Sequence, residues 1–163
     1  MGLDMYLTAS RYVSGYSFER SPEVKKAHSA LVKAAGLKKG DVPEGHAEVS
    51  FTVAYWRKAN QIHSWFVKHV QEGQDDCQKH SVSIETLEIL RASCQGVLDS
   101  HKSEQARVAK SLLPTQGGFF FGSTNYDENY IEDLKETINQ LDRNILKNPR
   151  MKNDWCFYYQ SSW

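Results

Sequence analysis

The hydrophobic pattern changes its period within one stretch, residues 51–70, which reads FTVAYWRKANQIHSWFVKHV. At its start, Phe51, Val53 and Tyr55 alternate with Thr and Ala, as expected of a β-strand. Further on, apolar residues recur at spacings of three and four, which puts them on one face of a helix: Tyr55, Ala59, Ile62, Phe66 and Val70. The pattern predicts a strand that passes into a helix at Tyr55.

Alternation also marks both ends of the chain. Leu3, Met5 and Leu7 predict a first strand within residues 1–13, and residues 154–160 (DWCFYYQ) predict a closing strand. A further strand is predicted at 119–121. Three consecutive phenylalanines between glycines suit a short strand that is covered on both faces.

Helical spacing and capping residues predict four more helices. The first follows Ser21 and Pro22, a good N-cap and N1 pair, and ends near residue 35 before Gly36. The others are 84 to about 100 with Ser83 as cap, 104–113 ended by Pro114, and a last helix capped by Thr124 or Asn125 and ended by Asn148-Pro149.

Strands and helices do not alternate strictly along the chain, which favours the α+β class. We predict a single domain, 1–163, with a mixed or antiparallel sheet packed by about four helices. No linker or internal repeat divides it. Residues 14–47, a helix followed by a loop rich in glycine, are predicted to be an insertion in this domain.

Composition narrows the function classes. Lys+Arg and Asp+Glu number 20 each, and this balance argues against general nucleic-acid binding. The sequence shows neither a signal-peptide pattern nor an apolar run near 18 residues, so we expect a cytoplasmic protein with no membrane contact. Three cysteines without C-x-x-C spacing predict free thiols and no disulfide.

The predicted central helix carries the densest chemistry. Trp56 or Trp65 could stack a planar base, and Arg57 could grip an anion because guanidinium is a planar bidentate donor. The same helix carries two more polar candidates, Asn60 and His63. The alternative is an aromatic-rich helix that is anchored to its own sheet.

The turn Gly122, Ser123 and Thr124 precedes the predicted last helix, whose free N–H groups and dipole could hold a phosphate. The turn lacks the P-loop pattern, and ordinary capping is the alternative. We predict that this turn and the central helix line one ligand pocket. Its residues would be Trp56, Arg57, Asn60, His63, Trp65, Gly122, Ser123 and Thr124.

Two further constellations have weaker chemistry. His63 could act as an acid or base with Asp4 or Asp127, but no nucleophile can be assigned, so we predict no catalytic residue. Residues 75–80 hold two aspartates, a cysteine and a histidine, yet no second Cys/His pair follows. We predict no bound metal and no cofactor.

Four runs of the chain carry a resemblance: MGLDMYL, YWRKANQIHSWFV, LLPTQGGFFFGSTNYDENYIEDL and WCFYYQSSW. They resemble a family of small uncharacterised proteins of bacteriophages and prophages with the pattern YWRKAN-x-IH-x-WFV … LLPT-x-x-GFFFGST-x-YDE. The resemblance covers nearly the whole chain outside 14–47. It implies an accessory protein that acts in the host cytoplasm, for example against a host defence protein, and it implies no catalytic residue.

These observations lead to one function and two alternatives. The first is a non-enzymatic protein that captures a nucleotide-like molecule to counter host defence signalling. The alternatives are a hydrolase or transferase acting on such a ligand, and a direct protein inhibitor of a host defence factor. Zero net charge and the aromatic closing strand, taken as a sheet edge, predict self-association as a homodimer or higher homo-oligomer.

Overall fold

The computed structural model describes residues 2–38 and 40–163, which contain four strands and six α-helices. The strands are β1 (Asp4–Ser14), β2 (His46–Arg57), β3 (His80–Val82) and β4 (Cys156–Ser162). The helices are α1 (Pro22–Ala34), α2 (Asn60–His69), α3 (Ile84–Leu98), α4 (Lys102–Leu112), α5 (Glu128–Leu141) and α6 (Pro149–Asp154). A π-helical turn, Asp142–Leu146, follows α5 directly.

The four strands form one antiparallel sheet in the order β2-β1-β4-β3. Its register is fixed between β3 and β4, where Ser81 pairs with Tyr158 and Val82 with Phe157. The α+β single-domain prediction is confirmed, with six helices instead of about four.

Within this fold the chain divides into two compact units. The larger unit comprises 2–9 and 52–163, and the smaller unit comprises 10–51. The predicted insertion, 14–47, lies inside the smaller unit. Helix α1 begins at the predicted cap, Ser21, whose hydroxyl accepts a hydrogen bond from Val24 N.

The core of the larger unit confirms the alternation at both ends of the chain. Leu3, directly before β1, is completely buried, as are Met5 and Leu7 of β1 and Tyr159 of β4. Helices cover them with apolar stripes that the spacing predicted: Ile62 and Phe66 from α2, Leu87, Leu90 and Cys94 from α3, and Leu134 and Leu141 from α5. Each such side chain contributes about 1.5–3 kcal/mol through burial.

The boundary between β2 and α2 differs from the prediction. The strand continues through Tyr55 to Arg57, and α2 begins only at Asn60. Lys58 separates them with a left-handed backbone (φ 61°), while its N–H donates to Leu3 O at 2.8 Å. Since side chains alternate along a strand, this extension leaves Tyr55 42% exposed and buries Trp56.

The predicted strand at 119–121 is wrong. These phenylalanines form a turn, in which Phe119 is 93% exposed and Phe121 is buried. The backbone instead meets the start of the chain at one point, where Leu3 N donates to Phe120 O. The remaining strand, β3, lies where the sequence analysis predicted no strand.

The sheet edge formed by β2 is sealed by side chains. Gln140 of α5 accepts a hydrogen bond from Tyr55 N at 2.8 Å and donates to Tyr55 O at 3.1 Å. Asn144 donates to Val53 O at 2.6 Å. Strand β4 is an interior strand, so the premise that it forms a sheet edge is wrong, and the dimer stays a prediction.

One ion-pair cluster joins α3 to the π-helical turn. Arg91 donates twice to Asp142, at 2.9 and 3.1 Å, and Lys147 Nζ lies 2.9 Å from the same carboxylate. The hydrogen bonds from Arg91 hold the pKa of Asp142 below its ordinary value, and those from Lys147 act in the same direction.

We expect Asp142→Asn to lower the free energy of unfolding by about 1–2 kcal/mol at neutral pH. The folded-state pKa of Asp142 lies below its unfolded value of about 3.9, so its stabilisation is present above that value and is lost as the pH falls through the folded pKa. Urea unfolding should therefore show a large difference between variant and wild type at pH 7 and a small one in strong acid. An equal difference at both pH values would contradict this role.

Among the described residues, no helix is long and apolar enough to cross a membrane.

Candidate functional site

Asn60 stands at the start of α2, and all its polar atoms bind backbone. Its Nδ2 donates to Phe121 O at 3.0 Å and to Ser123 O at 2.8 Å. Its Oδ1 accepts from Gln116 N at 3.0 Å. Asn60 is therefore the clamp that shapes the 116–123 segment, and its amide is already engaged within the protein.

His63 is fully buried one turn further along α2, with both ring nitrogens in use. Nε2 lies 2.9 Å from Asp75 Oδ2, and Nδ1 lies 2.7 Å from the Tyr159 hydroxyl. Since a carboxylate accepts hydrogen bonds, Nε2–H donates to Asp75, and Nδ1 forms the hydrogen bond with the Tyr159 hydroxyl. Burial raises the pKa of Tyr159 far above its ordinary value, and Asp75 raises it further. Both ring nitrogens of His63 are thus engaged within the protein, as in a structural histidine.

Two aromatic side chains cover this buried chain of hydrogen bonds. Phe121 contacts the His63 ring edge-on, with ring centroids 5.2 Å apart. Trp163 donates from Nε1 to the other oxygen of Asp75 at 3.1 Å and contacts Phe121 at 6.1 Å.

Neither tryptophan of the predicted site presents its ring to solvent. Trp56 is 4% exposed and donates from Nε1 to Thr137 Oγ1 at 2.9 Å. Trp65, also 4% exposed, stacks on His69 with ring centroids 4.5 Å apart. Both rings pack within the larger unit, which agrees with the alternative that the aromatic residues anchor this segment to its own sheet.

Arg57 is the most exposed of the predicted residues on β2 and α2. Its side chain is 61% exposed, with Nε 3.9 Å from Asp4 Oδ1. The Tyr55 hydroxyl donates to the same carboxylate, and this bond is the main cause of the raised pKa of Tyr55. Tyr6 lies beside Tyr55, with ring centroids 5.3 Å apart. The exposed aromatic neighbours of Arg57 are thus tyrosines instead of Trp56.

The 122–124 turn does not lead directly into a helix. Helix α5 begins at Glu128, and its N-cap is Asp127, which accepts from Asn129 N and Tyr130 N. The predicted cap, Thr124 or Asn125, is therefore wrong. The N–H groups that were expected to bind a phosphate already bind the carboxylate of Asp127.

The backbone of the turn is fixed by close packing. Gly122 has a φ of 90°, and a side chain there would lie 3.0 Å from Lys58 O. The structure brings Asn60 and His63 to this segment, whereas Trp56 contacts α5 and Arg57 contacts Asp4.

The 75–80 segment holds a paired carboxylate. His80 Nε2 lies 3.0 Å from Asp76 Oδ1, and Gln78 N donates to the same oxygen. Nowhere in 2–38 and 40–163 do three or more His, Cys, Asp or Glu side chains converge as a metal site. The cysteines within these ranges are free thiols, and burial raises the pKa of Cys94 to about 12.

The smaller unit contains a feature that the sequence did not reveal, a cleft of about 1010 Å³. One wall is a face of α1. The other wall is formed by residues that precede α1 in the sequence (15–17) and residues that follow it (within 37–44). We call it the lysine cleft and define it by its described lining residues: Gly15, Tyr16, Ser17, Lys25, His28, Ser29, Val32, Lys33, Leu37, Lys38, Gly40, Val42, Pro43 and Glu44.

The lysine cleft combines positive charge with rings. Of the charged groups in its described lining, three are lysines and one is Glu44, which accepts a hydrogen bond from Ser17. Tyr16 stacks on Phe18 with ring centroids 4.9 Å apart, and Phe18 is 74% exposed. Lysines are protonated at neutral pH, so this cleft favours an anion that carries a planar group.

The residues predicted from the sequence to bind a ligand include none from α1. The available signal was the spacing of Lys25, His28, Ser29, Val32 and Lys33, which form one helical face.

No protein-family model, curated protein or solved structure matches the chain. The resemblance to phage and prophage proteins therefore stays a prediction.

Proposed function

We propose that the protein binds and sequesters a nucleotide-like small molecule in the lysine cleft. The observation that carries the proposal is the convergence of Lys25, Lys33 and Lys38 with the rings of Tyr16 and His28 around one concavity. Ammonium groups bind phosphate as point charges, and aromatic rings stack on a base. Apolar side chains in the same lining, such as Val32 and Val42, suit the rest of a ligand.

This proposal keeps the ligand class expected from the sequence and moves its site. The residues expected to bind it are mostly engaged elsewhere, since Trp56, Asn60 and His63 are buried and hydrogen-bonded within the protein. Arg57 remains accessible, but its neighbour Asp4 opposes a phosphate.

Lys25→Ala should weaken the binding of adenosine nucleotides about five- to tenfold, because it removes a charge-assisted contact from the cleft. Helix α1 buries none of its side chains, so the fold should tolerate the change. Lys26→Ala is the matched control, since Lys26 is exposed on the same helix and is not among the described lining residues. Calorimetry with AMP and ATP, at low and high salt, measures the effect.

If neither Lys25→Ala nor Lys33→Ala weakened binding more than Lys26→Ala does, the cleft would not be the site. Failure of the wild-type protein to bind any nucleotide would overturn the proposal itself.

Sequestration without turnover is part of the same proposal. A general base needs a free nitrogen within reach of its substrate, whereas both nitrogens of His63 are bonded and the ring is fully buried. After incubation with a nucleotide and release by heat, mass spectrometry should recover the nucleotide unchanged. Recovery of a hydrolysed or transferred product would favour the enzyme alternative.

The biological setting of the proposal rests on the resemblance alone. A phage protein that removes a host signalling nucleotide would counter a defence pathway. Mass spectrometry of ligands carried through native purification from the host would identify the molecule.

A further inference from the structure

The face of α1 that lines the lysine cleft has its lysines at opposite ends. Lys25 and Lys33 are eight residues apart, which corresponds to about 12 Å along the helix axis. His28, Ser29 and Val32 lie between them on the same face.

The residues of the opposite wall can also be assigned to the two ends and the centre of the cleft. The chain turns immediately after α1, since Gly36 N donates to Lys33 O and Leu37 N donates to Val32 O. Lys38 therefore belongs to the Lys33 end. At the centre, Gly15 packs so closely on His28 that a Cβ at position 15 would overlap the imidazole ring.

A backbone hydrogen bond joins the segment that precedes α1 to the segment that follows it. Gly15 N donates to Gly45 O at 2.7 Å. The cleft is thus a trough with a cation at one end, two cations at the other, and a histidine ring between them.

Its size fits an extended ligand. Ligand clefts usually measure about 300–1,000 Å³, and this one, at about 1010 Å³, lies at the upper limit. A ligand with one anionic group would engage one end and leave the cations at the other end unpartnered.

We propose that the ligand is a nucleoside carrying two separate phosphate groups, one bound by Lys25 and the other by Lys33 with Lys38. The nucleoside lies against His28 and Tyr16 between them. This inference rests on the proposed function and narrows its ligand class.

The test compares adenosine 3′,5′-bisphosphate with adenosine 5′-monophosphate and adenosine 3′-monophosphate by calorimetry. The wild-type protein should bind the bisphosphate at least about tenfold more tightly than either monophosphate, because the two phosphates occupy separate cationic ends. In Lys25→Ala that advantage should disappear relative to one monophosphate, and in Lys33→Ala relative to the other. Lys26→Ala should keep the wild-type order.

Two results would overturn the inference and leave the proposed function intact. One is a bisphosphate that binds no more tightly than the better monophosphate. The other is a loss of affinity for the same monophosphate in both Lys25→Ala and Lys33→Ala. Binding of none of the three compounds to the wild-type protein would overturn both proposals.

Discussion

His63→Ala should lower the free energy of unfolding by about 3–5 kcal/mol. The substitution opens a cavity at a fully buried position and removes the partner of Asp75 and of the Tyr159 hydroxyl. The hydroxyl is then left buried without its acceptor, a cost that adds to the lost packing. Urea unfolding monitored by circular dichroism measures the change.

His69→Ala is the control for this prediction, because His69 is an exposed histidine at the end of the same helix. Its loss should cost less than about 1 kcal/mol, mainly through its stacking on Trp65. If His63→Ala proved as mild as His69→Ala, the buried chain would not be a structural element, and a catalytic role would regain support.

Asn60→Asp should be destabilising by about 3–5 kcal/mol at neutral pH, although the two side chains have nearly the same shape. The amide donates to two carbonyl oxygens, whereas a carboxylate would repel both of them. Burial and those oxygens should raise the folded-state pKa of the new carboxyl group above its unfolded value. The loss should therefore shrink as the pH falls and the group becomes protonated.

Urea unfolding at neutral and mildly acidic pH tests whether the loss of stability in Asn60→Asp becomes smaller as the pH falls. Asn125→Asp, in the exposed turn before α5, should change the stability by no more than about 0.5 kcal/mol at either pH. A pH-independent loss in Asn60→Asp would mean that the clamp acts only through shape.

Patterns that depend on one element alone were predictable from the sequence. The alternation of Leu3, Met5 and Leu7 correctly indicated a strand with one buried face, and all three side chains are buried. The capping residues Ser21 and Ser83 were also correct, since each acts on its own helix.

The errors concern features that depend on distant partners. The end of β2 could not be located because Tyr55 fits both periods. The left-handed backbone of Lys58 is held by Leu3 O, which lies far away in the sequence. The 119–121 run is strongly apolar, yet it forms a turn because Asn60 binds the carbonyl of Phe121 and Leu3 binds that of Phe120.

The candidate site was missed for a related reason. Lys25 and Lys33 look like an ordinary solvated face, since nothing local distinguishes a lysine in water from one beside a cleft. The opposing wall, which includes Tyr16 and Pro43, is separated from α1 by loops whose path the sequence does not specify. Trp56 and His63 attracted attention because of their chemistry, although buried aromatic and imidazole groups serve equally well in packing.

Gln140 covers the edge of the sheet at Tyr55 with a side chain instead of a strand. Whether the backbone groups of Tyr55 are paired therefore depends on the rotamer of Gln140. A neighbouring strand can leave an edge only by breaking a ladder of backbone bonds, whereas an amide can leave by rotation about its own bonds, which in accessible side chains takes picoseconds to nanoseconds. Rotation of the Gln140 side chain alone would therefore free the backbone groups of Tyr55 without any unfolding. The tendency of this edge to recruit a foreign strand therefore depends on the side chains of Gln140 and Asn144, and it can be tuned by substitutions that leave the sheet itself unchanged.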